Sequence, residues 1–404
     1  MGTDKIITQN KEIEAKKNLG ALGTVKGFRD FTGEEAKKRE KIREILVKIF
    51  ESYGFEPAET PVVEYKEFVR GENQNDEAVS DIFKLRDRGE RELALRYEFT
   101  FQLKRLMEGK KLPYKRYQIG PVFRDEPVSG NRLRQFTQCD VDMVGATIKD
   151  EAEVLAIVKR VLTELEIKFV IYINNRKLMN EILEKENIQK ENWEKVIREI
   201  DKLDKTPEDE IYNNLRDYNA ENVLEIFKQK EAYFEKYDNY AEVKSLIEMC
   251  KFYGVEVEFK PALARGLSYY NGSVFEVKSD IKESITAGGS FMFNGVQSTG
   301  LSFGLERLTL LTKITPEKKK VLLISIGQDE EAVKASEELR DNGVSCTLMY
   351  GKVTKALEYA NSYGVNYVIF LGEEEIKKKK FLLKDMGSGK EKLVELKELI
   401  KKIK

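Results

Sequence analysis

The densest group of residues able to do chemistry is Phe123-Arg124-Asp125-Glu126, followed by a loop and then Arg132, Arg134 and Gln135-Phe136. An Arg leaving a strand beside a Glu, with further Args across a hairpin, can clamp a polyphosphate. The guanidinium fork matches phosphate oxygens bidentately, and the carboxylate can accept from an amine or bind a metal. The same residues can also form a solvated hairpin whose charges pair with one another. Beyond them, Gln138, Asp140 and Asp142 alternate, which puts three polar side chains on one face of a strand. That face suits a small polar ligand or faces water. The tetrad Gly304–Arg307 (GLER) places an Arg near the start of a helix, where helix end and guanidinium together favour phosphate. In Ala264-Arg265-Gly266-Leu267-Ser268-Tyr269-Tyr270, Arg265 stands among apolar and aromatic neighbours where an unpaired charge is costly.

The inventory around these residues restricts the chemistry further. The 404-residue chain contains no histidine, which removes the commonest general base, the Ser-His and Cys-His nucleophile systems and every imidazole-dependent zinc site. Carboxylate, Arg, Lys, Tyr and backbone remain, a set suited to reactions run by positioning and charge stabilisation, as in phosphoryl and nucleotidyl transfer. With 70 basic and 71 acidic residues, a polyanion must be met by local patches rather than by a global basic coat. Cys139, Cys250 and Cys346 are too scattered for a disulfide framework or a zinc site. No apolar run approaches the roughly 20 residues of a membrane helix, and the first residues are charged. The chain reads as cytoplasmic, without membrane contact.

The elements that must position these residues can be read from periodicity. Residues 1–23 form a polar extension. A helix starts at Thr32–Gly33–Glu34, runs through Ile42, Ile45, Leu46, Ile49 and Phe50, and closes at Gly54. A strand over Leu93–Tyr97 leads into a helix beginning near Phe99. From Tyr114 to Gly145 the pattern is strand, polar loop at Pro127–Arg132, strand. A helix over 151–165 and a strand at Phe169–Ile173 follow. Residues 175–251 are Lys/Glu-rich with helical period and read as a helical insertion. Strands resume at Val255–Lys260, and Asn271–Gly272 predicts a hairpin turn between Tyr269–Tyr270 and Val274–Phe275. A helix over Leu301–Thr312 ends this part. After Pro316, strand and helix alternate, predicting a small α/β domain with a largely parallel sheet. Its 18 basic and 14 acidic residues over 318–404 make it mildly basic, compatible with RNA contact.

VFRDE with RLRQF resembles the second signature motif of class II aminoacyl-tRNA synthetases. FGLERL resembles the third, and the first helix with Pro61 the first. ARGLSYYNGSVFE and the Gly pair of AGG at 287–289 resemble the two segments peculiar to histidyl-tRNA synthetases. The likeness extends over 24–404 through KGFRDF, NNRKL, IDKLDK, LGEEEI and LLKDM. It implies an α+β fold: an antiparallel-sheet catalytic domain in two parts, 24–174 and 252–315, the insertion 175–251, and an anticodon-binding domain at 318–404.

The resemblance also implies roles. Arg124 would contact the ATP α-phosphate and the activated carboxylate, Glu126 the adenine or ribose side, and Arg132 and Arg307 the outer phosphates. Arg265 would stabilise charge at the α-phosphate. Glu98 and Thr100 would hold the substrate's α-amino group, and Gln138, Asp142, Tyr269 and Tyr270 would line the histidine pocket. Mg²⁺, tRNA-His, histidine and a second copy of the chain are the implied partners, with no protein-held metal site. The alternative is a catalytically silent paralogue that regulates histidine biosynthesis or senses tRNA. The chain departs from the family where Gly288-Gly289 is followed by Ser290-Phe291-Met292 instead of a basic residue, Tyr and Asp. Tyr97 replaces a usual Pro, Asp142 a frequent Glu, and Thr137 a frequent His. A synthetase of this kind without histidine can be translated while its own tRNA stands uncharged.

Overall fold

The protein, seen in a computed structural model, is described over residues 23–70, 81–128, 132–264, 269–315 and 319–403. It divides into two compact units, Met1–Ile314 and Thr315–Lys404.

In the first unit, the helix Gly33–Ser52 buries Ile42, Ile45, Leu46, Ile49 and Phe50, the stripe expected of one helical face. Short strands β1 (Glu56–Pro57), β2 (Val63–Tyr65), β3 (Lys84–Arg86) and β4 (Glu92–Leu95) follow, then two long ones, β5 (Tyr114–Phe123) and β6 (Gln135–Val144). The helix Ile148–Glu164 leads to β7 (Val170–Asn175). Five helices between Arg176 and Phe252 precede β8 (Glu258–Phe259), β9 (Tyr270–Lys278), β10 (Thr286–Phe293) and β11 (Val296–Gly304), and the helix Leu305–Leu311 closes the unit. The main sheet has the order β1-β5-β6-β11-β10-β9-β7-β8, antiparallel except for the two-residue edge strands β1 and β8. One continuous apolar core joins the sheet, the helices Gly33–Ser52 and Ile148–Glu164, and the helices of 176–252. A second small sheet, β2-β4-β3, stands beside it.

Three sequence expectations fail here, each for a local reason. Asn271–Gly272 is not a turn but lies inside β9: the Asn271 and Gln297 amides exchange hydrogen bonds at 3.1 Å, and the bulge between Gly289 and Phe291 sits opposite. The hairpin turn is Asn294–Gly295, where both residues have positive φ (48° and 77°), the backbone that a two-residue turn between right-twisted strands requires. Residues 301–304 are the end of β11 rather than the first turn of a helix, and the helix starts only at Leu305. Near Phe99 only a four-residue helix forms, Leu103–Leu106, because Arg96–Gln102 bends back to serve the sheet.

In the second unit β12 (Val321–Ser325), β13 (Cys346–Tyr350) and β14 (Tyr367–Leu371) are parallel, joined by the helices Asp329–Asp341 and Val353–Ser362. β15 (Phe381–Asp385) then adds antiparallel to β14, and β16 (Glu391–Val394) antiparallel to β15. The expectation of a largely parallel sheet therefore holds for three of five strands. The last two are short and partly exposed, separated by a turn in which Asp385 accepts from the Gly387 and Ser388 N–H groups at 3.0 and 2.9 Å. The final helix is Leu396–Ile403. Among the described residues, no helix is long and apolar enough to cross a membrane.

Candidate active site

The centre of the main sheet carries an unusual load of buried polar side chains. Arg116 and Gln118 on β5, and Gln138, Asp140 and Asp142 on β6, are all buried, as is Glu98 in the segment before Leu103. The alternating face of β6 is therefore not a water-facing surface. Buried charge of this density persists only where partners or a ligand satisfy it.

Register sets the pairings. Arg116 lies directly opposite Asp142, and their side chains form an ion pair at 2.6 Å. The same guanidinium nitrogen donates to the Phe99 carbonyl at 2.9 Å. On the other side Gly300 faces Asp142, where a Cβ would lie 2.2 Å from Asp142 Oδ1, so only glycine leaves room for this carboxylate. Gln138 Nε2 donates to Ser302 Oγ at 2.9 Å, and Ser302 donates in turn to Asp140 at 2.5 Å. Glu98 Oε1 has no hydrogen-bond partner among the described residues.

Burial pushes the Glu98 carboxyl up to about 8. The Arg124 charge opposes that rise, while Asp140 and Asp142 add to it. Burial likewise raises Asp140 to about 7, against the pull of Arg116, and raises Asp142, again against Arg116. Three acids thus face two guanidiniums, Arg116 and Arg124, in a site short of positive charge.

Arg124 leaves the end of β5 and lies between two rings, 4.3 Å from the centre of Tyr97 and 5.1 Å from that of Phe136. Its backbone N–H is held by the Arg134 carbonyl at 2.8 Å, and its Nε is buried without a partner among the described residues. Arg132 is half outside the protein and pairs with Glu126, while Arg134 bonds the Glu126 carbonyl at 3.0 Å. Arg307 donates to the Ser284 carbonyl at 2.6 Å. Tyr269 packs against Tyr270 (4.8 Å between centres) and edge-on against Phe291 (5.7 Å), in a cluster with Leu103, Val144 and Phe293. Burial holds the Tyr269 phenol well above its usual range. Ser290 points away from these rings and donates to Glu151 of the helix Ile148–Glu164.

The structure therefore gathers Glu98, Arg124, Asp140, Asp142 and Tyr269 within electrostatic reach of one another, with Gln138 on the same strand face. Thr100 is half-buried two residues from Glu98. Arg265 lies outside the described residues. Sequence reasoning missed Arg116, although a lone Arg in the strand YKRYQIGPVF opposite an Asp carries the signal once the register is known. It also missed the anchor beneath the site. Glu306 accepts from the Thr137 N–H with both oxygens at 3.1 Å, and Arg39 donates to Glu306 and to Thr137 Oγ1 at 3.0 Å each. The Arg39 guanidinium also covers the Phe31 ring at 3.8 Å. Helix Gly33–Ser52, β6 and helix Leu305–Leu311 are thereby tied together at the start of the strand that carries Gln138, Asp140 and Asp142.

An antiparallel sheet with polar groups buried at its centre, followed by a separate mixed-sheet unit, is the architecture of class II aminoacyl-tRNA synthetases. The family model described as histidyl-tRNA synthetase matches residues 27–308, and that of an anticodon binding domain matches 320–404. Histidine–tRNA ligase 1 of Bacillus cereus is 32% identical, covering 92% of this chain and 96% of its own. The histidine–tRNA ligase of Methanococcus maripaludis is 31% identical, covering 93% and 98%. The crystal structure of histidyl-tRNA synthetase from Nostoc sp. PCC 7120 superposes with a TM-score of 0.82 at 25% identity over 94% of this chain and 98% of its own. The chain belongs to the histidyl-tRNA synthetase family.

Proposed function

We propose that the protein is a histidine–tRNA ligase working in two steps. The histidine carboxylate attacks the α-phosphorus of ATP and pyrophosphate leaves, forming histidyl-adenylate. A hydroxyl of the terminal ribose of tRNA-His then attacks the acyl carbon and AMP leaves. The observation that supports this reading is the buried Glu98 carboxyl beside Asp140 and Asp142, whose Oε1 has no hydrogen-bond partner among the described residues. A cationic α-amine placed there supplies the charge that the site lacks.

Asp142 and Gln138 meet the imidazole, with Tyr269 and Tyr270 around it, and Thr100 assists Glu98 at the amine. Arg124, held between Tyr97 and Phe136, has a buried Nε, unpartnered among the described residues, for an anionic oxygen. Arg124 and Arg265 therefore act at the α-phosphate, while Arg132 and Arg307 hold the outer phosphates and Glu126 the nucleoside. Mg²⁺ enters with ATP, bound mainly through substrate phosphates rather than an all-protein cage. Thr315–Lys404 binds the anticodon region. Two copies pair through the first helix and the following segment, where the exposed Val62, Val63 and Tyr65 offer apolar surface. The enzyme works in the cytoplasm.

ATP–pyrophosphate exchange with each of the twenty amino acids tests the first step. Histidine alone should support exchange, and Arg124→Ala or Arg265→Ala should lower it about 10²–10³-fold, the cost of removing a charge-stabilising donor. Silence with every amino acid from folded wild-type protein would overturn the reading and favour a regulator or tRNA sensor.

A further inference from the structure

Arg116 is the largest fully buried side chain among the described residues, and it stands between the two ends of the proposed amino-acid site. Its Nη2 binds the Asp142 carboxylate, on the imidazole side, and the carbonyl of Phe99, which lies between Glu98 and Thr100 on the amine side. We propose that Arg116 is a positioning and specificity residue: one guanidinium fixes the distance between the amine-binding and imidazole-binding groups and supplies the positive charge against which the Asp142 carboxylate is held to accept from an imidazole N–H. The inference rests on the functional reading above and names a residue that does not itself touch substrate.

Three observations support it. First, the interaction is set by register, since Arg116 and Asp142 are direct partners in the β5–β6 ladder, and Gly300 on the next strand leaves the Asp142 carboxylate its space. Neither side chain has another place to go. Second, the Phe99 carbonyl belongs to a segment with little regular structure of its own, and the buried charge-assisted hydrogen bond from Arg116 helps to locate it together with the fully buried Phe99 ring. Third, the charge matters to its neighbours. Asp142 is buried, and Arg116 is the group that opposes the resulting rise in its pKa. Among the described residues, the other ionisable groups in electrostatic reach of this pair and its neighbours are Asp140 on the same strand, Tyr114 on β5, Glu98 and Arg124 from the flanking segments, and Tyr269 just before β9. None of them but Arg124 is a cation, and Arg124 lies among the rings of Tyr97 and Phe136.

The test is steady-state exchange kinetics on the full-length chain carrying Arg116→Met or Arg116→Lys, with histidine and ATP varied separately. Arg116→Met should raise the histidine KM about tenfold or more, the scale set by an unsatisfied buried polar group, with the ATP KM nearly unchanged. Its histidine KM, taken as a ratio to wild type so that the titration of free histidine cancels, should fall as pH rises from 6 to 9, because Asp142 without its cation ionises only at higher pH. Arg116→Lys restores the charge without the fork. It should remove the pH dependence and leave a smaller rise in KM. Should Arg116→Met fail to fold, the Lys variant decides alone. A Lys variant with wild-type KM assigns the effect to charge only and overturns the spacing role, while one whose histidine KM keeps the pH dependence overturns the charge role. A folded Met variant with wild-type histidine KM, or with histidine and ATP KM raised equally, overturns the proposal entirely. If wild-type protein shows no histidine-dependent exchange, it is the functional reading that has failed.

Discussion

The two sheets of this protein bury opposite things. In the C-terminal unit, β12 is Val-Leu-Leu-Ile-Ser with every residue buried, β14 is buried over all but its first residue, and Ser325 and Ser336 are the buried polar residues among those described. In the N-terminal unit, the central strands β5 and β6 bury Arg116, Gln118, Gln138, Asp140 and Asp142. The first sheet is held by ordinary removal of apolar surface from water. The second carries desolvated charge that its own side chains only partly compensate. The difference teaches that the polar centre is costly for the empty protein, a cost that a cationic amine and a polyphosphate would offset under the function proposed above.

Within the polar sheet, the charges that serve the fold should be separable from those that serve the ligand. The Arg39–Glu306–Thr137 anchor lies outside the acid cluster, with the Thr137 N–H and Arg39 Nη2 both bonded to Glu306. Glu306→Ala strands a buried guanidinium and a backbone N–H, at a cost of about 3–5 kcal/mol. Trp193 is the one tryptophan of the chain and lies in the N-terminal unit, so its fluorescence in a urea titration reports this loss selectively. A loss below about 1 kcal/mol would mean that the anchor is as inconsequential as an exposed ion pair.

The ligand-directed charges should appear instead in pH dependence. Glu98 and Asp140 have folded-state pKa values raised to about 8 and about 7, above those of an unfolded chain. Between their unfolded and folded values the native state holds more protons, so each contributes stability at low pH that is lost as pH rises. The slope approaches 1.4 kcal/mol per pH unit for each group while it remains protonated in the folded state alone. The Trp193 transition of the ligand-free protein should therefore weaken from about pH 5 to pH 8. The C-terminal unit should behave the other way. Hydrogen bonds from the Ser388 and Gly387 backbone hold Asp385 below its usual range, and Lys392 does the same for Glu398. The contribution of these two carboxylates is present above the ordinary carboxylate range and falls in acid, as hydrogen exchange of β12 and β14 can follow. Equal slopes in the two units would erase the contrast.

The same contrast explains what could be read in the sequence. The apolar periodicities of Gly33–Ser52, Ile148–Glu164, β12 and β14 follow from rules that assume an apolar interior, and the structure has those elements. Family resemblance singles out Arg124, Glu98, Gln138 and Asp142, and the structure places them near one another. What escaped depends on partners distant in the chain. Asn271–Gly272 carries a hairpin signal, yet the sheet holds it extended through Gln297 and the bulge opposite. Arg116 draws its meaning from a residue 26 positions away across a ladder whose register no local pattern states.

Turns offer the finest comparison, because their chemistry is local in both sheets. Gly295 closes β10–β11 with φ of 77°, and Gly389 lies between β15 and β16 with φ of 70°. A Cβ on either would meet nothing within 4 Å. Any cost of Gly295→Ala or Gly389→Ala is then the left-handed backbone alone, about 1 kcal/mol, and should be the same in the polar sheet as in the apolar one. Gly300→Ala, two strands from Arg116, offers the counter-example. Its Cβ falls on the Asp142 carboxylate, so it should raise the histidine KM, whereas Gly295→Ala leaves that constant alone. If Gly295→Ala disturbed histidine binding as strongly as Gly300→Ala, the pocket would respond to the stiffness of the whole hairpin, and the separation of local from ligand-directed terms in this sheet would fail.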